Sequence, residues 1–306
     1  MSCSPTEADP RPPWFVAALE DRGQDHVVEV RGARVAYRVW GPRGAPVVVL
    51  VHGGAAHAGW WDHVAPALTP RHRVAALDLT GHGSSDARSR YDLVSWADEI
   101  EAVGTAEAEE NVFSVAGHSL GSVAALVTAY RHGDRVAGTI AVDPPDWVVA
   151  EGGLEARRTV LNPRRFHGSR ELAAARFQAR PTDRARLPFV ERHVAERSVH
   201  LTPDGWAWRF DPAITGHETF PEGLWGRDIG PVVLVRAERG LLSAAQAAEL
   251  SDRLGGADEL VIEDSGHHVM LDQPLALTAC LQEVLARWTP DHLHDEQHSA
   301  PRNCGG

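Results

Sequence analysis

Gly117-His118-Ser119-Leu120-Gly121 is the stretch on which the reading of this chain turns. Before it lies Asn111-Val112-Phe113-Ser114-Val115-Ala116, short, apolar and β-branched, which reads as a buried strand. After it, Ser122 to Arg131 is rich in Ala, Leu and Val and reads as a helix. Gly-x-Ser-x-Gly therefore sits at a strand-to-helix turn, the context that gives the pattern its meaning. A side chain at either glycine would collide with neighbouring backbone in so sharp a turn, and the absence of Cβ removes the collision. The turn lifts the Ser119 hydroxyl clear of the sheet, beside a helix N-terminus that favours negative charge. The plain alternative is a glycine-rich turn holding an incidental serine, and the residues identified below weigh against it.

Strands and helices alternate on both sides of this turn. Val27–Val30 and Val35–Trp40 alternate like a hairpin around Arg31-Gly32-Ala33-Arg34. Val47–Val51 is a continuous apolar strand of the kind buried on both faces of a sheet. Trp60–Leu68 reads as a helix, Val74–Leu77 as a buried strand ending at Asp78, and Asp92 to about Ala108 as an amphipathic helix. Beyond the turn come strands at Val136–Val142, Val232–Val235 and Glu259–Ile262, with helices at Ala244–Leu254 and Leu275–Trp288. The pattern predicts an α/β fold, a mostly parallel central sheet flanked by helices.

Between Asp143 and about Gly230 the rhythm breaks: arginine becomes frequent, strands vanish, and short helices are expected near 170–180 and 187–198. Because the alternation resumes afterwards, this stretch reads as an insertion over the sheet edge rather than a second independent domain. The expected organisation is a disordered or loosely packed segment over 1–25, a core formed by 26–143 and 231–288, a helical cap over 144–230, and a disordered tail over 289–306. The tail's three histidines lack fixed spacing and read as solvated.

With 306 residues, 43% of them hydrophobic, the chain can bury a sizeable core. A net charge of −12 leaves no basic footprint for nucleic acid or an anionic membrane. No apolar run reaches membrane-spanning length, and Met1 to Arg11 lacks the apolar core of a secretory signal. Cys3, Cys280 and Cys304 are odd in number and form no C-x-x-C, which suits a reducing compartment, so a cytoplasmic location is expected. The expected partner is a small-molecule substrate with an apolar part. A homodimer is left open.

A serine hydroxyl becomes a nucleophile only with a base in hydrogen-bond reach and a third group to orient that base. Ser265-Gly266-His267-His268 follows the last strand. Loops after the C-termini of parallel strands converge on one sheet edge, where His267 can meet Ser119. Gly266 frees the loop to aim His267, and His268 reads as a neighbour that packs or bonds to backbone. His52, His57, His63 and His82 match no metal-ligand spacing. Asp78 and Asp86 read as braces for turns.

Taken in order, Val51-His52-Gly53-Gly54, then Leu79-Thr80-Gly81-His82-Gly83-Ser84-Ser85-Asp86, then the turn at 117–121 and Gly266-His267, the chain resembles the α/β-hydrolase family over roughly residues 26–288. The resemblance implies a serine hydrolase, with neither cofactor nor metal, and it places the oxyanion donors at Gly54 N–H and Leu120 N–H. It also leaves a gap. The family usually carries its acid after the strand that follows the cap, in a pattern like Gly-x-x-Asp, and here that stretch reads Arg236-Ala237-Glu238-Arg239-Gly240. A family variant puts the acid at the end of the strand after the nucleophile helix, where this chain has Asp143-Pro144-Pro145. Asp143 is the preferred acid, Glu238 the alternative, and Asp264 a third. Gly53, Trp60 and Trp147 are candidates to line a substrate pocket, with core packing as the other reading of the two tryptophans.

The expected activity is cleavage of a carboxylic ester, lactone or thioester through an acyl-enzyme on Ser119. Serine in place of aspartate at the nucleophile argues against epoxide hydrolases and haloalkane dehalogenases. Two alternatives stay open. One is hydrolysis of a carbon–carbon bond in a diketone-type acid, with Arg157, Arg158, Arg164 or Arg165 as carboxylate partners. The other is a ligand-sensing receptor on the same fold.

Overall fold

Three runs of the chain, Val47–Val51, Arg73–Leu77 and Phe113–His118, are buried at every position. Strands with no exposed face belong in the middle of a sheet covered on both sides. The computed structural model describes residues 11–149, 164–181, 187–214 and 223–288. Its elements begin with α1 (Pro13–Glu20), β1 (Gln24–Val30), β2 (Ala33–Trp40), β3 (Val47–Val51), α2 (Ala65–Leu68), β4 (Arg73–Leu77), α3 (Leu93–Glu107), β5 (Phe113–His118), α4 (Leu120–His132) and β6 (Val136–Val142). They continue with α5 (Arg170–Ala175), α6 (Pro188–Arg197), β7 (Val199–Thr202), β8 (Gly205–Trp208), β9 (Val232–Arg239), α7 (Ala244–Arg253), β10 (Asp258–Gly266), α8 (Val269–Asp272) and α9 (Pro274–Trp288).

Eight strands form one sheet in the order β1-β2-β4-β3-β5-β6-β9-β10. β1 and β2 pair antiparallel, β2 meets β4 antiparallel, and every other neighbouring pair is parallel. The parallel strands therefore end on one edge, at Val51, Leu77, His118, Val142, Arg239 and Gly266. The residues that follow those ends meet one another there.

Side-chain alternation along the strands feeds two cores, one on each face. Val49, Val51 and Val115 pack with Trp96 and Ile100 of α3 and Val123 and Val127 of α4. Val48, Leu50 and Ala116 pack with Phe15 of α1, Leu68 of α2, and Leu277, Leu281 and Val284 of α9. Two helix starts follow from side-chain caps. Asp92 accepts from Ser95 N–H at 2.7 Å, and Ser243 with Gln246 forms a capping box.

The structure corrects three expectations. Within the segment expected to be loose, Pro13–Glu20 forms a helix whose Phe15 is fully buried, edge-on to Phe189 at 4.9 Å. Its proline opens the helix at a position where no N–H is needed, and the buried ring supplies the docking that a polar composition concealed. The insert between β6 and β9 is not purely helical, because β7 and β8 form an antiparallel hairpin in it. Its turn is Pro203-Asp204, and β8 opens on Gly205 at φ +123°, so Pro-Asp-Gly marks the reversal. Leu201 is 67% exposed, so the strand carries no clean apolar alternation. Finally, the helix expected over Trp60–Leu68 is two pieces, a 3-10 turn at Ala58–Trp61 and α2. Pro66 lies in the first turn of α2 and fits a helix start, not a helix interior. The 289–306 tail, Arg157 and Arg158 lie outside the described residues. Among the described residues no helix is long and apolar enough to cross a membrane.

Candidate active site

Ser119 stands between β5 and α4 with φ 52° and ψ −122°, a backbone region that a residue bearing a side chain enters at a cost of about 1–3 kcal/mol. The surroundings hold it there. Its N–H donates to Val142 C=O at 2.9 Å, and its own C=O accepts from Ser122 N–H at 2.9 Å. Both flanking glycines are required by close approach. A Cβ on Gly117 would lie 2.1 Å from Gly121 O, and one on Gly121 would lie 2.4 Å from His52 O.

His267 follows β10 and is 3% exposed. Its Nδ1 is 2.6 Å from Asp143 Oδ2 and its Nε2 is 3.0 Å from Ser119 Oγ. A carboxylate only accepts, so the neutral ring carries its proton on Nδ1 and presents the Nε2 lone pair to the serine hydroxyl. Asp143 is fully buried at the end of β6. Its carboxylate also accepts from Ala237 N–H at 3.2 Å and Leu241 N–H at 2.9 Å. Hydroxyl, imidazole and carboxylate thus stand in one hydrogen-bonded row, able to take a proton from Ser119 and stabilise the imidazolium that results.

The loop that carries His267 is braced from two sides. His267 C=O accepts from His118 Nε2–H at 2.8 Å, and Gly266 N–H donates to Asp272 Oδ2 at 2.8 Å. Glu238 and Asp264 lie on the surface, 49% and 64% exposed at the side chain. There the Glu238 carboxylate accepts from Asp264 N–H at 2.7 Å. The carboxylate bonded to His267 is that of Asp143.

Gly54 is exposed and adjoins the nucleophile turn, because a Cβ on it would lie 3.6 Å from Leu120 Cδ2. Leu120 N–H is the first of α4 and has no acceptor within its own helix. Gly53 lies under Ser119, where a Cβ would come 3.2 Å from Ser119 Cβ. Trp60 is buried, its ring 5.3 Å from that of His268 and 6.1 Å from that of Phe177. Trp147 is half-buried against the core cluster that contains Leu120. His52 bonds within its own loop and accepts from Leu79 N–H at 3.1 Å. Asp78 accepts from Ala58 N–H and Ser84 N–H, and Asp86 accepts from Arg34 N–H. Arg164 and Arg165 are exposed.

His118, His267 and His268 bring one ring nitrogen each within 4.8 Å of one another, the one such cluster among the described residues. Burial, with the neighbouring His267 and His268 rings, holds His118 well below the ordinary histidine range. Burial and His267 bring His268 down to about 3. Neutral imidazoles are transition-metal ligands. Here both nitrogens of His267 are engaged by Ser119 and Asp143, so an ion bound at this cluster would compete with the serine for His267.

The model of the alpha/beta hydrolase family matches residues 48–279, which hold all of these side chains. The chain is 31% identical over 273 residues to the esterase Rv0045c of Mycobacterium tuberculosis (strain ATCC 25618 / H37Rv), covering 85% of this chain and 89% of that protein. The chain belongs to the alpha/beta hydrolase family. It is an α/β-hydrolase enzyme, and its solved relatives share the fold. A structure of the M. tuberculosis esterase, titled for transition metal inhibition, superposes with a TM-score of 0.70 at 26% identity, over 89% of this chain and 97% of that one. The thioesterase domain from the curacin biosynthetic pathway gives 0.71 at 21% identity, over 84% and 98%.

Two features of this hydrolase site escape a reading by motif. His118 occupies the variable second position of Gly-x-Ser-x-Gly, yet its ring fixes the backbone of His267. Gly240 reads as a missing acid, yet a Cβ on it would lie 2.0 Å from Asp143 Oδ1. The signal available for Gly240 was that an acid lost at one strand end coincides with an acid present at the next.

Proposed function

We propose that this enzyme hydrolyses a carboxylic ester, with lactones and thioesters in the same chemical class, through an acyl-enzyme on Ser119. The observation that carries the reading is the row Ser119–His267–Asp143, at 3.0 and 2.6 Å. In the reaction Ser119 Oγ forms a bond to the substrate carbonyl carbon while its proton passes to His267 Nε2. The oxyanion is held by Gly54 N–H and Leu120 N–H. As the tetrahedral adduct collapses, the bond to the leaving alkoxy or thiolate group breaks and that group takes the proton from His267. Water then repeats the sequence on the acyl-enzyme and releases the acid. Asp143 keeps the proton on Nδ1 and offsets the imidazolium charge.

The name of the M. tuberculosis relative, an esterase, supports ester hydrolysis. The substrate in this reading is a small molecule with an apolar part, with Trp147 and the Leu120 side chain, which share one apolar cluster, as its lining and Trp60, 4% exposed against His268 and Phe177, behind it. The insert serves as a cap over the sheet edge, and the enzyme works in the cytoplasm, where Cys280 stays a free thiol.

A panel of p-nitrophenyl esters assayed with wild type, Ser119→Ala, Asp143→Asn and Glu238→Gln tests the reading. Ser119→Ala abolishes turnover, Asp143→Asn lowers kcat by on the order of 10³–10⁴-fold, and Glu238→Gln stays near wild type. A large loss confined to Glu238→Gln would move the acid. Wild type inactive on every ester would discard the esterase reading.

A further inference from the structure

A cavity of about 540 Å³ opens where the loops after β3 and β4 meet the insert. Among the described residues Ser119, His267 and Asp143 are not in its walls. Four arginines are: Arg38, Arg170, Arg197 and Arg209. Two of them have carboxylate partners elsewhere. Arg38 bonds to Asp25 and Asp62, each at 2.9 Å, and Arg197 pairs with Asp62 at 3.3 Å.

Among the described residues Arg170 and Arg209 make no ion pair within 4 Å, although the charges of Glu171 and Asp78 act on them from further away. Arg170 donates to Glu196 C=O at 2.9 Å. Arg209 donates from Nε to Val199 C=O at 3.2 Å and from Nη1 to Ser84 Oγ at 3.5 Å. Asp78 also borders the cavity, but its two oxygens already accept from Ala58 N–H at 2.7 Å and Ser84 N–H at 2.8 Å. Burial, with Arg197 and Arg170 nearby, lowers the pKa of Arg209 against the opposing field of Asp78. His200, also in the wall, keeps Nε2 buried without a partner.

The position of Arg209 is fixed by its backbone. Its N–H donates to Ser198 C=O at 2.8 Å, and its C=O accepts from Gly83 N–H at 2.8 Å. Asp211 N–H donates to Gly81 C=O at 2.7 Å. The segment after β8 is thus stitched to the loop after β4, and the guanidinium is rooted before any ligand arrives. The wall holds two carboxylate residues, Asp78 and Glu196, against four guanidiniums, and an oxyanion with two or three acceptor oxygens offsets the excess positive charge through charge-assisted bonds.

We propose that this cavity binds an anionic group, a carboxylate or a phosphate, carried by the ester substrate at the end remote from its scissile bond. The assignment to substrate rests on the hydrolase reading above. The connection is the loop after β3. Gly54 adjoins the nucleophile and His57 lines the cavity, three residues further on. Three residues span at most about 11 Å, so an acyl or alkyl chain of several carbons bridges the two places.

The test pairs p-nitrophenyl hexanoate with the p-nitrophenyl monoester of adipic acid, which has the same chain length and one added carboxylate. Wild type favours the anionic ester in kcat/KM. Arg209→Gln lowers the anionic-to-neutral ratio at least tenfold, mainly through KM. Arg170→Gln, at an exposed position, lowers it in the same direction and covers the case that Arg209→Gln fails to fold. Calorimetry on Ser119→Ala with adipate and with inorganic phosphate reads the cavity without turnover and ranks the two anion chemistries. Binding is expected, and it is lost in the Arg209→Gln and Arg170→Gln backgrounds. No binding of either anion overturns the proposal, as does a ratio unchanged in both arginine variants, since binding with an unchanged ratio assigns the cavity to a free anion. Anion binding by an enzyme inactive on every ester would sink the hydrolase reading and leave the anion site standing.

Discussion

Gly240 leaves the space that the Asp143 carboxylate fills. A Cβ on Gly240 would lie 2.0 Å from Asp143 Oδ1 and 2.5 Å from its Cγ. The ends of β6 and β9 are neighbours in the sheet, and either can deliver an acid to the same spot beside His267, but the spot holds one side chain. Gly240→Ala pushes the carboxylate off Nδ1 of His267, and a displacement near 1 Å costs about a hundredfold. We expect kcat/KM on a p-nitrophenyl ester to fall by at least that factor. In the Asp143→Ala/Gly240→Asp double variant, part of the loss seen in Asp143→Ala returns. Wild-type rates in Gly240→Ala would show that the two positions do not compete.

His118 acts on the reaction through the backbone of His267. Its Nε2–H bond to His267 C=O is buried and 2.8 Å long. His118→Phe keeps a ring and removes the donor, leaving a buried carbonyl unpaired at a cost of about 1–3 kcal/mol. The part of that cost that reaches the position of His267 appears in kcat, about tenfold lower, while KM stays the same. Equal changes in both constants would mean that His118 shapes the pocket instead.

The motifs that were legible in the sequence are those in which backbone geometry dictates residue type. Gly117 and Gly121 had to be glycine because backbone passes within 2.4 Å of where Cβ would be, and a strand buried on both faces had to be as apolar as Val47–Val51. The insert was less legible. Its hairpin is half-exposed, with Trp206 and Trp208 only partly buried, so burial imposes little alternation. Phe15 shows the same limit from the other side, since one fully buried ring docks a helix whose other residues are mostly partly or fully exposed. The choice among Asp143, Glu238 and Asp264 depended on which strand end faces His267, a distance that spacing along the chain does not encode.

At the opposite edge of the sheet, Arg73 and Glu107 form a buried pair. Arg73 Nε donates to Glu107 Oε2 at 2.7 Å, and Tyr37 O–H donates to Oε1 at 2.9 Å. Burial and this bond to Glu107 raise the Tyr37 pKa, so the phenol stays protonated. Glu107→Ala strands the Arg73 charge in a site where it is 6% exposed. Breaking one partner of such a pair costs about 3–5 kcal/mol, which urea unfolding at neutral pH will read as a lower midpoint. Glu107→Gln keeps an acceptor and loses less. A midpoint unchanged in Glu107→Ala would show that water reaches Arg73.

The chain buries several imidazoles in neutral form, and this sets how its stability depends on pH. Burial lowers His63 from 6.5 to about 4, against the opposing bond of its Nε2–H to Met270 C=O. Burial likewise lowers His52, His57, His82 and His118, and takes His268 down to about 3. Above pH 6.5 such a group is neutral in both the folded and the unfolded chain and contributes no pH dependence. Below 6.5 the unfolded chain takes up a proton that the folded chain refuses, so stability falls as pH falls, until the folded pKa is reached. Each group contributes a slope of up to about 1.4 kcal/mol per pH unit within its window. Urea midpoints should therefore drop steeply between pH 6.5 and 4 while staying level from 7 to 8. His63→Gln, which keeps a donor for Met270 C=O, removes one titrating group and makes the slope shallower by about one proton. A midpoint as high at pH 4.5 as at pH 7 would mean that these rings protonate in place, and the buried-neutral account of them would fail.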